Sequence, residues 1–187
     1  MELIWFVSSS ADYVVPPTAC IIQEELGLPE TCLSIEIKHG CSGWVVGLNS
    51  AASLIMGGCL KRALLLCGDT STLLHSPFDK ETRPLFGDAG SCTALEFDTI
   101  ASTLEFEHGT RGKDFKSIYT PVGGCRNAVT AKDLEFIEYG PNQLRRNIDC
   151  TMDGMNVFAF GMSVAPKSVK RLAEKYVLNL EQMDYLF

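Results

Sequence analysis

HGCSGWVVGLNSAASLIMGG, residues 39–58, is the stretch on which the reading of this chain turns. The segment before it, Cys32–Lys38, alternates: Leu33, Ile35 and Ile37 fall on one side, Ser34, Glu36 and Lys38 on the other. That is the period of a β-strand. From Ser42 to Met56 the pattern becomes helical, and Gly57 and Gly58 supply the stop. Cys41 therefore falls where a strand becomes a helix, between Gly40 and Gly43. A thiol at that point meets the unpaired backbone N–H groups of the first helical turn, which favour the nucleophilic thiolate. The two glycines allow tight backbone geometry there. Other acyl-transfer enzymes present a serine from the same kind of strand–turn–helix elbow. Gly47, Ala51, Ala52 and Ser53 give the helix a face of small residues for close packing. The expectation is a buried helix with Cys41 at its inner end, away from the surface.

Working outward, Leu3–Val7 (LIWFV) reads as a buried strand and Ser8–Tyr13 as a polar loop. Pro16 and Pro17 open a helix that runs to Leu26, with Gly27 as its stop. Ala63–Cys67 is a continuous apolar run of the kind found inside parallel sheets. Residues 69–88 read as a polar connection, Ser91–Phe97 and Ser102–Glu107 as further strands, and 109–150 as irregular. Asp153 starts a helix to about Tyr176, with Val157, Phe158, Met162, Ala165, Val169, Leu172 and Tyr176 along one face. Pro166 inside it predicts a kink near 162–166. Met183–Phe187 reads as a strand. Strands alternating with helices place the chain in the α/β class, with a mixed or parallel sheet. The chain starts in one core strand and stops in another, which is the pattern of an internal piece of a larger protein.

The 187 residues are 46% hydrophobic and 21% charged, a globular balance. A net charge of −7 argues against a nucleic-acid partner, which would call for a basic face. No apolar run reaches the ~18 residues of a membrane helix, and the N-terminus lacks a signal-peptide pattern. Eight cysteines occur without a C-x-x-C pair, so a metal site is not expected. Most have apolar neighbours, as free cysteines of a reducing cytoplasm do when they serve as small core residues. A cytoplasmic protein is the expectation.

Four motifs then agree in order and spacing. Cys41-Ser42-Gly43 with aromatic Trp44 resembles the nucleophile motif of β-ketoacyl-acyl-carrier-protein synthase III, a condensing enzyme of the thiolase-fold superfamily. Arg83-Pro84-Leu85-Phe86-Gly87-Asp88-Ala89-Gly90 resembles that family's internal F-G-D turn before a strand. Met152 to Phe160 (MDGMNVFAF) resembles the helix start in its second half. Ala11-Asp12-Tyr13 and Pro16-Pro17-Thr18-Ala19-Cys20 resemble the loop and helix ahead of the nucleophile strand.

The resemblance implies a thiolase-like layered α/β/α fold, present here in part. Residues 1–100 would form most of the first half-repeat and 101–187 the start of the second. It implies a decarboxylative Claisen condensation, with Cys41 carrying an acyl group taken from acyl-CoA and malonyl-acyl-carrier protein supplying the carbanion. The product would be 3-oxoacyl-acyl-carrier protein, in fatty-acid or specialised acyl biosynthesis. Acyl-CoA and acyl carrier protein are the implied partners, the full-length protein is implied to be a homodimer, and no cofactor is implied. The backbone N–H of Cys41 would form half of the oxyanion hole. Arg83 would contact the CoA nucleotide, although its spacing to Phe86 is shorter than in the family. Val15 would reach towards the partner's acyl pocket and leave room for a primer larger than acetyl. Met152 and Phe158 would line the pantetheine tunnel. Ala159 stands where some members carry a lysine for carrier-protein docking, and Lys167, Lys170, Arg171 and Lys175 form a basic strip further along, read as a solvated face.

The family's histidine and asparagine do not match any residue of this chain. Among His39, His75 and His108, only His39 lies near Cys41, and a strand-to-helix turn separates the two side chains. His75 and His108 read as ordinary loop or strand-end residues. Two other functions therefore remain open at this level. One is a non-catalytic thiolase-fold partner subunit, and the other a cysteine acyltransferase or hydrolase in which Cys41 uses a different base.

Overall fold

A computed structural model describes residues 1–185, which divide into two compact units. The first comprises Met1–Leu73 and Phe86–Leu104. Its elements are β1 (Leu3–Ser8), α1 (Thr18–Glu25), β2 (Leu33–Lys38), α2 (Gly43–Met56), β3 (Arg62–Thr70) and β4 (Asp88–Glu96). The four strands form one sheet in the order β2-β1-β3-β4. β1 runs parallel to both β2 and β3, while β4 returns antiparallel to β3, with Arg62 opposite Glu96 and Thr70 opposite Asp88.

Of the alternating apolar residues of β2, Leu33 is exposed and Ile37 half-buried, while Ile35 packs against the core. Leu3, Ala51, Ile55, Leu60 and Ala63 form its centre, with Trp5, Ile35, Leu54 and Leu95 packed around them. α2 turns Gly43, Gly47, Ala51, Ala52 and Ile55 inward, so its backbone lies close to the strands. A Cβ placed on Gly47 would stand 2.5 Å from Leu65 Cδ1 and 3.1 Å from Val7 Cγ2. One placed on Gly43 would collide with Val7 Cγ1. These glycines are required by space, because neither adopts a positive φ. At the other end of α2, Gly57 is the cap and Gly58 takes the left-handed conformation, φ 75°, that ends the helix.

The second unit comprises Leu74–Leu85 and Glu105 onward. It contains β5 (Ile118–Tyr119), β6 (Ile137–Gly140), β7 (Gln143–Arg145), β8 (Thr151–Met152) and α3 (Gly154–Tyr176). β5 pairs with β8 and β6 with β7, both antiparallel. Asp153 caps α3, its carboxylate accepting from the Asn156 backbone N–H at 3.0 Å. α3 continues as one helix across Pro166. The predicted apolar stripe is half-buried at Val157, Val169, Leu172 and Tyr176 but exposed at Phe158, Met162 and Ala165.

Several expectations are corrected here. Ser102–Glu107 is not a strand: the Phe106 carbonyl accepts from Tyr176 Oη and Lys175 Nζ, each at 3.1 Å, so α3 side chains take the place of a pairing strand. The irregular stretch 109–150 holds β5, β6 and β7, which at two to four residues are too short to show a period. Met183–Tyr185 form no strand, following a 3-10 turn at Leu180–Gln182, and the rest of that predicted strand, Leu186 and Phe187, lies outside the described residues. Five cysteines, Cys20, Cys41, Cys59, Cys92 and Cys125, are exposed, and only Cys32 is buried. Apolar neighbours marked the strands correctly but not the face: Thr93 and Leu95 of β4 turn towards α2 and the core, so Cys92 points to the opposite face.

Candidate active site

Cys41 occupies the turn between β2 and α2 and is exposed, contrary to the expectation of a buried position at the inner end of the helix. The reason is positional. The buried face of α2 starts at Gly43, and Cys41 precedes it, beyond the end of an edge strand of the sheet. The Gly43 N–H closes the turn on the Gly40 carbonyl at 2.7 Å, and Val46 N–H bonds the Ser42 carbonyl at 3.1 Å to begin the helix. Ser42 occupies the cap position without a side-chain cap, and its hydroxyl instead pairs with His39 Nε2 at 2.8 Å. His39 is thus engaged by Ser42. Trp44, the next aromatic, donates its indole N–H to Thr93 Oγ1 at 3.0 Å and fastens the first turn of α2 to β4.

A second cluster stands at the C-terminal ends of β1 and β3. Asp69 Oδ1 accepts from Ser9 N–H at 2.6 Å and from Ser8 Oγ, Ser10 N–H and Ser10 Oγ at 3.0 Å each. Ser9 Oγ donates to the His39 carbonyl at 3.4 Å. Asp69, Ser8, Ser10, Asp12 and Asp88 help to line a cavity of about 440 Å³. The F-G-D turn lies on the same side of this unit, where Asp88 accepts from the Thr72 N–H and hydroxyl at 2.8 Å each.

Among the predicted binding residues, Val15 lies in the first unit, in the loop before α1, and is 79% exposed. Arg83, Met152 and Phe158 lie in the second. Met152 pairs with Ile118 in the β5–β8 ladder, and Phe158 is 66% exposed on α3. Arg83 is exposed on a turn whose inner side is anchored by Asp79 and Thr82, both buried.

That anchor was not foreseen in the sequence, where residues 69–88 read as a polar connection. Asp79 accepts from Arg145 Nε and Nη2 at 2.8 and 3.0 Å, from Tyr139 Oη at 2.8 Å, from Thr82 Oγ1 at 2.5 Å and from Glu81 N–H at 2.9 Å. The Arg145 guanidinium also lies over the Tyr139 ring, 3.8 Å from its centroid. Burial alone would push the Asp79 carboxyl up, but these donors outweigh it and hold it well below the usual carboxylate range. The Tyr139 hydroxyl is pushed up, first by burial and then by its bond to Asp79. His75, read as an ordinary loop residue, is buried in this unit as well.

Residues 35–112, which include Cys41 and the F-G-D turn, match the family model of 3-oxoacyl-[acyl-carrier-protein] synthase III. A putative 3-oxoacyl-[acyl-carrier-protein] synthase 3 of Campylobacter jejuni is 32% identical over 176 residues, which are 93% of this chain and 49% of that protein. A crystal structure of a 3-oxoacyl-(acyl-carrier-protein) synthase III aligns with a TM-score of 0.92 at 29% identity, over 98% of this chain and 55% of that one. The chain is a synthase III-like protein of the thiolase fold. A 3-oxoacyl-(acyl-carrier-protein) synthase from Burkholderia xenovorans agrees, at a TM-score of 0.80 and 33% identity over 98% of this chain and 51% of that one. The synthase III-like chain thus spans about half the length of the relatives it matches. None of its described helices is long and apolar enough to cross a membrane.

Proposed function

We propose that this chain supplies the acyl-carrying half of a condensing enzyme. The thiolate of Cys41 attacks the carbonyl of an acyl-CoA, the thioester C–S bond breaks, and CoA leaves as its thiol once protonated. Malonyl-acyl-carrier protein then loses CO₂, its carbanion attacks the Cys41 acyl thioester, and 3-oxoacyl-acyl-carrier protein leaves with Cys41 regenerated. One observation carries this reading: Cys41 is exposed in a hydrogen-bonded strand-to-helix turn, inside the residues that match the synthase III model. Its backbone N–H stands at the head of α2, where a developing oxyanion is stabilised. Arg83, Val15, Met152 and Phe158 are assigned to binding acyl-CoA on the motif correspondence.

Acyl carrier protein and a second copy of the chain are the proposed partners. For the second copy, β2 offers an edge of the sheet that is unpaired among the described residues. The enzyme is proposed to be cytoplasmic.

The experiment is acyl transfer in the absence of malonyl-carrier protein. After incubation with acyl-CoA, peptide mass spectrometry should find the acyl mass on Cys41 and release of one CoA, both lost in Cys41→Ala. No acyl mass on Cys41 in a folded sample overturns the assignment and leaves the chain as a non-catalytic thiolase-fold partner. Acylation that persists in Cys41→Ala overturns it too.

A further inference from the structure

We propose that Asp69 is a positioning residue for the nucleophile turn, acting through Ser9. The inference rests on the assignment of Cys41 as the acyl carrier, and it adds a residue from a different strand to that site. Asp69 stands at the end of β3 and does not belong to the motif around Cys41. Its Oδ1 gathers four donors from three consecutive residues, Ser8, Ser9 and Ser10, where β1 gives way to its loop. Two of these are backbone N–H groups, so the carboxylate fixes the path of the main chain as well as side-chain rotamers.

The loop fixed in this way is the neighbour of the nucleophile turn. Ser9 Oγ reaches the His39 carbonyl at 3.4 Å, and a Cβ built on Gly40 would have Ser9 Oγ as its nearest neighbour, at 3.8 Å. The constraint continues along the turn: the His39 ring pairs with Ser42 Oγ at 2.8 Å, and Gly43 N–H bonds the Gly40 carbonyl at 2.7 Å. Cys41 is held between these two bonds. Ser10 Oγ also accepts from Thr70 N–H at 2.9 Å, which ties the loop back to β3 beside Asp69. Parallel strands β1 and β3 thus converge, through one carboxylate, on the turn that follows β2. This is the carboxyl-terminal edge of the sheet, where open α/β sheets assemble their sites.

The mechanism needs that rigidity. The backbone N–H of Cys41 has to point at the substrate oxygen while Sγ faces its carbonyl carbon, and a loosened turn samples this arrangement less often. Asp69 touches neither group and contributes by removing the alternatives.

The test uses Ser9→Ala, Asp69→Asn and Asp69→Ala in the whole chain, with Cys92 as an internal reference. Cys92 is an exposed thiol on β4 of the same sheet. Two readouts are taken: amide exchange of residues 39–43 by NMR, and the rate of iodoacetamide labelling at Cys41 relative to Cys92. Loss of the Asp69 acceptor, felt at the turn through the single Ser9–His39 bond, predicts exchange at Gly43 about tenfold faster in Asp69→Ala. The Cys41 to Cys92 labelling ratio should fall about threefold or more in the same variant. Ser9→Ala should reproduce both effects with the rest of the sheet still protected. Asp69→Asn keeps an acceptor and should recover most of the parent behaviour.

The proposal is overturned if Ser9→Ala leaves both exchange and labelling ratio at parent values. It is equally overturned if Asp69→Asn is as impaired as Asp69→Ala. Should Asp69→Ala fail to fold, Ser9→Ala and Asp69→Asn decide alone. If acyl-CoA never acylates Cys41 in the parent chain, the catalytic assignment fails while the exchange data still report whether Asp69 orders the turn.

Discussion

Replacing Gly47 by alanine tests whether the close approach of α2 to the sheet is what places Cys41. The added methyl would lie 2.5 Å from Leu65 Cδ1 and 3.1 Å from Val7 Cγ2. Carbon atoms rest at about 3.5–4.0 Å, so roughly an ångström must be opened. Leu65 is fully buried and Val7 nearly so, at 3%, which leaves neither a free rotamer to retreat into. Overpacking of this kind costs about 1–3 kcal/mol, and with two buried side chains in the way the upper part of that range, about 2–3 kcal/mol, applies. Against it stands the helix propensity of alanine over glycine, about 1 kcal/mol. The net expectation is a loss of about 1–2 kcal/mol, with the head of α2 displaced from the sheet. Gly161→Ala is the matched comparison. Gly161 lies inside α3 with no atom within 4 Å of an added Cβ, so only the propensity gain remains. Both tryptophans, Trp5 and Trp44, lie in the first unit, so urea unfolding followed by tryptophan fluorescence reads Gly47→Ala. Far-UV circular dichroism reads Gly161→Ala through the longest helix. If Gly47→Ala is neutral or stabilising like Gly161→Ala, the packing argument fails.

Three further outcomes follow from particular contacts. Iodoacetamide should label Cys41 faster than any of the other seven cysteines, and Cys32, Cys67 and Cys150 slowest, the last two because burial pushes their thiols up; equal labelling by peptide mapping refutes the nucleophile assignment. The folded Asp79 carboxyl is held below its unfolded value of about 3.9, so its contribution is present above that pH and is lost as pH falls towards the folded value. Urea midpoints of the second unit should therefore drop below about pH 4–5, and Asp79→Asn should flatten that limb while costing about 3–5 kcal/mol at neutral pH, since it leaves Arg145 without its buried partner. Val177 ends α3 in the left-handed region at φ 54° and is 90% exposed, so Val177→Gly should stabilise the second unit by about 1 kcal/mol in the same titration.

The first unit was legible because its elements are long enough to carry a period. β1, β2, α1 and α2 fall within a few residues of where alternation, Pro16–Pro17 and Gly57–Gly58 put them. The small residues of α2 announced close packing, and the structure supplies the atoms that demand it, Val7 and Leu65. The second unit was legible only at α3. Its remaining order comes from tertiary hydrogen bonds: β6 and β7 are organised around Asp79, which is far from Tyr139 and Arg145 in sequence. No local pattern marks such a carboxylate. One available signal was the local run of polar residues Ser76, Asp79 and Thr82 close to a match for the F-G-D turn; all three are buried. At the site itself, Cys41 could be named from its turn. The contribution of Asp69 could not, because it depends on the parallel neighbours β1 and β3 ending side by side.

The two well-bonded carboxylates also bear on what Cys41 can do within these 187 residues. Condensation needs a group that takes up or stabilises charge as the carbanion forms. Asp69 already accepts four hydrogen bonds at one oxygen and serves the main chain. Asp79 is saturated by Arg145, Tyr139, Thr82 and Glu81 N–H and is held well below the range of a working base. His39, the histidine nearest in sequence, is engaged by Ser42. Asp69, Asp79 and His39 are thus each committed to holding local geometry. The arrangement suits a thiol that receives and presents an acyl group, and leaves enolate stabilisation to residues other than these. On that reasoning the 187-residue chain alone should acylate at Cys41 yet release no 3-oxoacyl product from malonyl-acyl-carrier protein. Product formed by the chain alone would mean that one of these committed groups leaves its partners during turnover.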